Sequence, residues 1–200
     1  GLGDVYKRQV SLDLIADYES TSGAVKKLEL NLLNVPEVTG TALPEFTYSP
    51  EGVVTATATR IETGDHVGDF AVTLTGIGTG ATEVTATYGD YTARLMVTVT
   101  ADLKVNLGAE SVELNVGNEK TVQLKAVDKK NQAHTATWTV TSDDPAVAEV
   151  TEPVGDEITV TGVAAGETQL RITATCKVGG KDYTATAILP VSVKGTSGGG

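Results

Sequence analysis

The residues best suited to binding a metal ion lie in the segment Thr63-Gly-Asp-His-Val-Gly-Asp69. Asp65, His66 and Asp69 offer an imidazole and two carboxylates, which are ligand types that Zn²⁺ and Ca²⁺ accept in proteins. Their spacing follows no established ligand pattern, and the second histidine, His134, stands far along the chain. We therefore interpret the segment as a solvated loop, with a metal site as the alternative.

Two acidic clusters in the second half of the chain offer oxygen ligands of the kind that Ca²⁺ prefers. They are Asp143, Asp144 and Glu149, and then Glu152, Asp156 and Glu157. Neither cluster contains the D-x-D-x-D-G arrangement of a calcium-binding loop. We expect solvated turns that add to solubility, and we predict no bound metal.

Sequence patterns that mark an active site are sparse. No H-E-x-x-H pair and no Walker loop occurs. The run Gly76-Ile-Gly-Thr-Gly80 precedes no helical pattern, so it indicates a turn and not a phosphate-binding loop. Acidic residues alone do not exclude a glycosidase, because its paired carboxylates cannot be recognised from spacing. We nevertheless predict no catalytic residue, no cofactor and no enzyme activity.

Cysteine content and charge exclude further classes of protein. One Cys and two His are too few for a zinc finger or a disulfide framework. A net charge of -11 argues against nucleic acid as a partner, because phosphates would be repelled. No apolar run is long enough to cross a bilayer, so we predict no membrane insertion.

Exposed tyrosines are the best candidates for a carbohydrate contact. Tyr88 and Tyr91 flank Gly89-Asp90 in a predicted hairpin turn, so at least one of the two rings should be accessible. Tyr18, Tyr48 and Tyr183 are further candidates. The alternative is that they are strand-end tyrosines whose rings pack on apolar surface while their hydroxyls stay in water.

The elements that position these residues are predicted to be β-strands. Thr and Val make up more than a quarter of the 200 residues, and β-branched side chains favour strands over helices. In Thr121-Val-Gln-Leu-Lys-Ala-Val127 the apolar residues recur at every second position, which is the strand period. Turn signals recur every eight to twelve residues or so. Short alternating strands at that spacing predict an antiparallel β-sandwich with almost no helix.

The chain also repeats itself. The pattern T-G-[IV]-x-x-G-x-T occurs at Thr75 and again at Thr161, an offset of 86 residues. Upstream, Val10-Ser-Leu-Asp-Leu14 matches Val112-Glu-Leu-Asn-Val116 at an offset of 102, so the first copy is the longer one. Two tandem copies that meet near Thr100 to Asp102 are the simplest account.

These repeats define the expected domains. We predict one sandwich over residues 10–101 and a second over residues 102–194. Residues 1–9 show no strand alternation and resemble a translated adapter remnant, so we expect a non-native or disordered leader. Residues 195–200, Gly-Thr-Ser-Gly-Gly-Gly, have the composition of a flexible tail.

The second copy resembles a known family. Trp138-Thr-Val-Thr-Ser-Asp-Asp-Pro-Ala-Val-Ala-Glu-Val150, followed by Val160-Thr-Gly-Val-Ala-Ala-Gly-Glu-Thr168, is similar to the bacterial immunoglobulin-like domain of group 2. The first copy looks like a divergent member, in which Phe46 stands near the Trp position. The resemblance implies two tandem immunoglobulin-like sandwiches.

Four residues are expected to belong to the structural core. Trp138 is the largest apolar group of its copy, and Cys176 lies on the apolar phase of its strand. Gly162 and Gly166 bracket a tight connection where a positive φ or a close backbone approach is needed. With no partner for Cys176, packing alone must hold the sandwich together.

The resemblance also implies a function. Such domains occur in bacterial adhesins, surface-layer and cell-wall proteins and phage tail proteins. We expect a non-catalytic spacer and adhesion module of a larger bacterial or phage surface protein, extracellular or on a virion. Expected partners are the neighbouring domains of the same polypeptide and a cell-surface glycan or protein receptor. The alternatives are a carbohydrate-binding module and a phage tail or capsid decoration domain.

Overall fold

The computed structural model describes residues 8–19, 23–35 and 40–196. Every regular element in these ranges is a β-strand, which confirms the all-β fold class. No helix in the described ranges has the length and apolar character needed to cross a bilayer. The chain divides into two compact units, Gly1–Ala101 and Asp102–Gly200, called here the first unit and the second unit. Residues 1–7 and 197–200 of the expected leader and tail lie outside the described residues.

The first unit is a sandwich of two sheets with a small extra hairpin. Its strands are β1 (Arg8–Asp13), β2 (Tyr18–Glu19), β3 (Ala24–Val25), β4 (Leu28–Leu32), β5 (Glu45–Ser49), β6 (Val54–Arg60), β7 (Phe70–Gly76), β8 (Gly80–Tyr88) and β9 (Tyr91–Thr100). One sheet has the order β1-β9-β8-β5 and the other β4-β7-β6, while β2 pairs with β3. β1 begins two residues before the boundary expected from the sequence, so Arg8 and Gln9 belong to a strand.

The second unit repeats this plan with two more strands in the second sheet. Its strands are β10 (Leu103–Leu107), β11 (Val112–Asn115), β12 (Glu119–Asp128), β13 (Ala133–His134), β14 (Thr137–Ser142), β15 (Ala148–Val150), β16 (Glu157–Gly162), β17 (Gly166–Val178) and β18 (Lys181–Lys194). One sheet has the order β11-β18-β17-β14. The other has the order β10-β12-β16-β15, with β13 paired to β12.

One strand pair in each unit is parallel, where the sequence predicts antiparallel sheets. β1 runs parallel to β9, with Arg8 opposite Leu95 and Asp13 opposite Thr100. β11 runs parallel to β18 in the same way. Each pair joins a strand near the start of its unit to the last strand of that unit, so no hairpin turn connects the two. Such a pair cannot be recognised from a local hairpin signal.

The cores lie between the two sheets of each unit and follow the strand period. In the second unit β16 alternates between buried and partly exposed residues, and Ile158 and Val160 are at most 1% exposed. In the first unit β7 alternates in the same way, and Phe70 and Leu74 are fully buried. Period-two alternation in the sequence thus marks which side chains enter the cores.

Candidate functional site

The polar groups of the loop around His66 contact other residues of the same chain. Asp69 accepts a hydrogen bond from the backbone N–H of Val35 (3.0 Å), and its other carboxylate oxygen lies 3.6 Å from His66 Nδ1. The His66 side chain is about half exposed, at 51%. Asp69 thereby holds the loop to the segment that follows β4. Within the described ranges, no three His, Cys, Asp or Glu side chains are grouped so that they could hold a metal ion.

The first acidic cluster is occupied by structural hydrogen bonds. Arg171 donates two hydrogen bonds to Asp143, from Nε (2.7 Å) and Nη2 (3.0 Å), and Gln169 donates a third. The Arg171 guanidinium holds the pKa of Asp143 below its usual value, followed in effect by Gln169. Asp144 accepts a hydrogen bond from the backbone N–H of Ala146. These contacts orient the turn between β14 and β15.

Part of the second acidic cluster serves the aromatic core. Trp138 Nε1 donates a hydrogen bond of 2.8 Å to Asp156, and the Trp138 ring is only 8% exposed. Glu157 accepts a hydrogen bond from Gln123 on the paired strand β12. Asp156 therefore accepts the hydrogen bond of a buried indole. The indole N–H needs such an acceptor once the ring is removed from water.

The first unit also buries an aromatic ring with a polar partner, but it uses different residues. The 86-residue offset places Phe70 at the position of Asp156 and Tyr88 at that of Ala174, the residue paired with Trp138. Tyr88 is 5% exposed and packs edge-on against Phe70, with ring centroids 5.0 Å apart. The bulky aromatic residue thus lies on β8 in the first unit. In the second unit it lies on β14, which pairs with β17, the strand that corresponds to β8.

Arg60 completes this aromatic cluster. Its guanidinium lies 4.7 Å from the centre of the Phe70 ring, and Nη2 donates a hydrogen bond of 2.8 Å to the Tyr88 hydroxyl. The contact is both a cation–π interaction and a hydrogen bond from a charged donor. Sequence reasoning did not find Arg60, because no local pattern connects it with residues 10 and 28 positions further along the chain.

The two tyrosines proposed as glycan contacts face different surroundings. Tyr88 is buried as described, whereas Tyr91 is 60% exposed. Both rings line a small cavity of about 160 Å³ together with Leu33 and neighbouring residues. The Tyr48 hydroxyl accepts a hydrogen bond from the backbone N–H of Ala56, so it has a structural partner. Tyr91 is therefore the accessible aromatic side chain of the pair.

The two glycines and the cysteine occupy tightly packed positions. A Cβ on Gly162 would lie 2.8 Å from the backbone oxygen of Asn115, and one on Gly166 would lie 3.0 Å from a Val147 methyl. Cys176 is 3% exposed, and burial raises the pKa of its thiol. A buried thiol with a raised pKa is a poor nucleophile, because the reactive species is the thiolate.

Buried carboxylates at strand ends were not identified in the sequence. Asp13 is fully buried and accepts hydrogen bonds from the backbone N–H groups of Ile15 and Ala16 and from the Thr100 hydroxyl. Asp128 likewise accepts hydrogen bonds from backbone N–H groups of the β12–β13 turn. Its other carboxylate oxygen lies 2.8 Å from His134 Nε2. An aspartate before a turn is a weak sequence signal, since most such side chains stay in water.

Comparison with known proteins gives one family match. Residues 103–187 match the model of the bacterial Ig-like domain (group 2). No curated protein matches the sequence of this chain. The matched segment lies within the second unit and includes its Trp138, Gly162 and Gly166.

Several solved structures are similar to the chain. Domains 4 and 5 of the S-layer protein SbsC are 24% identical, with a TM-score of 0.39, over 74% of this chain and 75% of that one. A longer SbsC chain, domains 1–6, is 24% identical with a TM-score of 0.40, over 80% of this chain and 21% of that one. A SusE-like surface-located polysaccharide binding protein from the Bacteroides thetaiotaomicron heparin utilisation locus is 14% identical, with a TM-score of 0.37, over 92% of this chain and 33% of that one.

Proposed function

We propose that the chain is a non-catalytic, tension-bearing spacer in a larger surface protein. The match of residues 103–187 to the model of the bacterial Ig-like domain (group 2) supports this proposal. A spacer of this kind holds a distal domain away from the surface to which the protein is anchored. Its partners are then the neighbouring domains of its own polypeptide. The proposal extends to the first unit because that unit repeats the same sandwich plan.

The parallel pairing of the last strand of each unit with a strand near the start of that unit carries this proposal. In the second unit Val112, at the start of β11, pairs with Val191, and Asn115 pairs with Lys194 at the end of β18. Force applied between the start of β11 and the end of β18 therefore pulls these two strands past each other along their length. All hydrogen bonds of the ladder are then loaded together, whereas an antiparallel pair pulled from one end opens one bond at a time.

The first unit has the same arrangement. β1 pairs in parallel with β9 from Arg8 and Leu95 to Asp13 and Thr100. The Thr100 hydroxyl also donates a hydrogen bond of 3.0 Å to the buried Asp13 carboxylate, which ties the end of β9 to the end of β1. The parallel pairs β1–β9 in the first unit and β11–β18 in the second therefore have the geometry that resists extension.

Single-molecule pulling tests this function. With handles at residues 8 and 194 we expect two unfolding events, one for each unit. Leu114→Pro removes a backbone N–H that points at β18, as that of Val116 two residues further on does in its hydrogen bond to the Lys194 carbonyl (3.0 Å), and it should lower the force of one event only. Leu114→Ala is the matched control, because it keeps this backbone donor and should lower the force less than Leu114→Pro does.

A second pulling geometry makes the test independent of these variants. Handles at Glu167 and Lys194 lie at the same end of the antiparallel β17–β18 pair, in which Glu167 pairs with Ser192. Pulling there should open the pair at a clearly lower force than pulling through β11 and β18. Equal forces in the two geometries would contradict the tension-bearing role.

Glycan binding is a second candidate function, and the exposed Tyr91 ring beside the 160 Å³ cavity favours it. Aromatic faces stack on the apolar faces of sugar rings, so a Tyr in this position is a suitable contact. We expect saturable glycan-array binding that Tyr91→Ala abolishes. Val154→Ala, at an exposed apolar residue of the other unit, is the control and should leave binding unchanged. Absence of binding by the unaltered chain would leave the spacer as the sole proposal.

A further inference from the structure

One sheet of the second unit ends in a strand whose outer side has no backbone partner. β14 ends the sheet β11-β18-β17-β14 and pairs only with β17. The segments before and after β14 are described without a gap, and their strands pair elsewhere, β13 with β12 and β15 with β16. Within the described part of the second unit, the outer side of β14 is therefore an open sheet edge.

Alternate residues of β14 point their backbone N–H and C=O groups at this edge. The Asp143 N–H donates a hydrogen bond of 3.0 Å to the Gln169 carbonyl, which makes these two residues a hydrogen-bonded pair. Antiparallel pairs alternate between hydrogen-bonded and non-hydrogen-bonded positions, so Trp138, Val140 and Ser142 point their backbone groups away from β17. Three N–H and three C=O groups are thus available to a further strand.

β14 also lacks the charged side chains that usually discourage pairing at a sheet edge. Edge strands in natural proteins commonly contain charged residues or proline, which oppose the addition of a strand from another chain. β14 has the sequence Thr-Trp-Thr-Val-Thr-Ser and contains neither. The other end strands of the four sandwich sheets each contain a charged residue: Arg8 and Asp13 in β1, Glu29 in β4, Glu45 in β5, Arg60 in β6, Lys104 in β10, Glu113 in β11 and Glu149 in β15.

We propose that β14 pairs antiparallel with β14 of a second copy of this chain. The pairing is centred on Val140, which lies opposite the partner's Val140, while Trp138 lies opposite the partner's Ser142. All three residues with free backbone groups then form hydrogen-bonded pairs, and two four-stranded sheets join into one of eight strands. The dimer goes beyond the spacer function, because it joins two chains side by side.

The side chains of β14 are complementary to themselves in this register. Thr139 lies opposite the partner's Thr141 on the outer face, and a Thr–Thr pair is a favourable cross-strand contact. Thr173 and Thr186 already make this contact within the sheet, with hydroxyl oxygens 2.9 Å apart. Two-fold pairing uses the same patch on both copies, so a neutral strand brings no like charges together.

The nearest carboxylate does not oppose the pairing. Asp143 lies opposite the partner's Thr137, whose hydroxyl can donate a hydrogen bond. Within its own chain Asp143 accepts two hydrogen bonds from Arg171, so its charge is already compensated. A second copy of β14 therefore suits this edge in both backbone geometry and charge.

The dimer is expected to be weak and to depend on salt. Six residues from each copy make a small interface, so we expect a dissociation constant on the order of 100 μM. Each chain has a net charge of -11, and the two copies repel each other at long range. Added salt screens this repulsion, so it should strengthen the dimer.

Sedimentation equilibrium of the full 200-residue chain tests the proposal, with Lys pairs as variants. Thr139→Lys with Thr141→Lys sets lysines opposite lysines at two places and should weaken the dimer about tenfold or more. Thr184→Lys with Thr186→Lys is the matched control, because these threonines are also exposed but lie on β18. The control should leave the dissociation constant unchanged. All four sites are exposed, so the fold should tolerate lysine there.

A mixing experiment tests the register itself. Thr139→Glu with Thr141→Glu should also prevent dimerisation, because carboxylates then face each other. An equimolar mixture of this variant with the Thr139→Lys, Thr141→Lys variant should form a heterodimer, in which each lysine lies opposite a glutamate. Both variants keep a large net negative charge, so only a local match can join them.

Several results would overturn the proposal. They are a chain that stays monomeric up to about 1 mM, a dimer that the β14 lysines leave intact, and a mixture that forms no heterodimer. A monomeric chain that nevertheless binds a labelled peptide of residues 137–142 would make a strand of another protein the occupant of this edge. None of these results depends on the unfolding force of a single chain, so the dimer and the tension-bearing role are tested separately.

Discussion

At the scale of single residues, buried carboxylates hold turns of both units. Asp128 has a side chain only 1% exposed and accepts hydrogen bonds from the backbone N–H groups of Lys130 and Gln132 as well as contacting His134. Burial tends to raise its pKa, but the bonds from His134, Gln132 and Lys130 outweigh burial and hold the pKa of Asp128 below its ordinary value of 3.8. The ionised form is therefore the one that the fold stabilises.

The sign of this shift predicts a loss of stability in acid. A carboxylate with a lowered pKa in the folded state contributes stability above its unfolded pKa and loses it as the pH falls through the folded value. We expect the difference in unfolding free energy between the unaltered chain and Asp128→Asn to be large at about pH 6 and to shrink toward about pH 3. Urea titrations followed by Trp138 fluorescence measure it. An equal difference at both pH values would contradict the role assigned to the Asp128 carboxylate.

Trp138 is the residue whose loss should cost the second unit most. Trp138→Ala removes a buried indole and leaves a cavity, which we expect to lower the unfolding free energy of that unit by about 3–5 kcal/mol. Trp138→Phe keeps much of the apolar ring and loses the hydrogen bond to Asp156, so we expect a smaller cost. Amide hydrogen exchange of β17 in the intact chain measures both changes. A loss below about 1 kcal/mol for the alanine variant would mean that the ring contributes no more than an ordinary side chain.

At the scale of elements, a glycine sets how closely the strands of the two sheets approach. Gly162 ends β16 beneath the backbone oxygen of Asn115, the last residue of β11. Gly76 is its counterpart in the first unit, where an added Cβ would lie 3.0 Å from a Leu14 methyl. In each copy this glycine lies close to the end of β1 or β11, against a backbone oxygen in the second unit and against side chains in the first.

This contact predicts a clear difference between two glycine substitutions. Gly162→Ala would bring its Cβ to 2.8 Å from a backbone oxygen, so β11 must shift and we expect a loss of about 1–3 kcal/mol. Gly195→Ala is the matched control, because its Cβ would be 3.8 Å from the nearest atom, in the Ala165 side chain. Thermal melts of the two variants test this. Equal melting temperatures would show that β11 yields without cost.

At the scale of the whole molecule, the two units differ in how completely their cores are covered. The second unit buries Val122, Leu124 and Leu189, while the first leaves Leu30, Leu32 and Leu95 partly exposed. Because stability follows the apolar area removed from water, we expect the first unit to unfold before the second.

The position of the only tryptophan allows this order to be measured. Trp138 reports on the second unit alone, whereas circular dichroism detects the strands of both units. We expect the ellipticity to change in two steps on addition of urea, with the fluorescence changing only in the second. A single step at the same urea concentration for both probes would mean that the units unfold together.

The sequence by itself determined the strand content and the repeated plan of the chain. Alternation in Thr121–Val127 marks buried Val122, Leu124 and Ala126, because side-chain direction in a strand depends only on a local period of two. The paired T-G patterns at Thr75 and Thr161 mark the glycines that end β7 and β16, because a close approach admits no side chain.

Only the tertiary structure decided how residues far apart in the chain meet. It paired β1 in parallel with β9, joined Trp138 to Asp156, and placed Arg60 on the ring of Phe70. Tyr88 and Tyr91 are directly paired, yet only Tyr88 packs against Phe70 and is buried. Such features result from contacts between elements, and a local pattern carries no information about which elements will become neighbours.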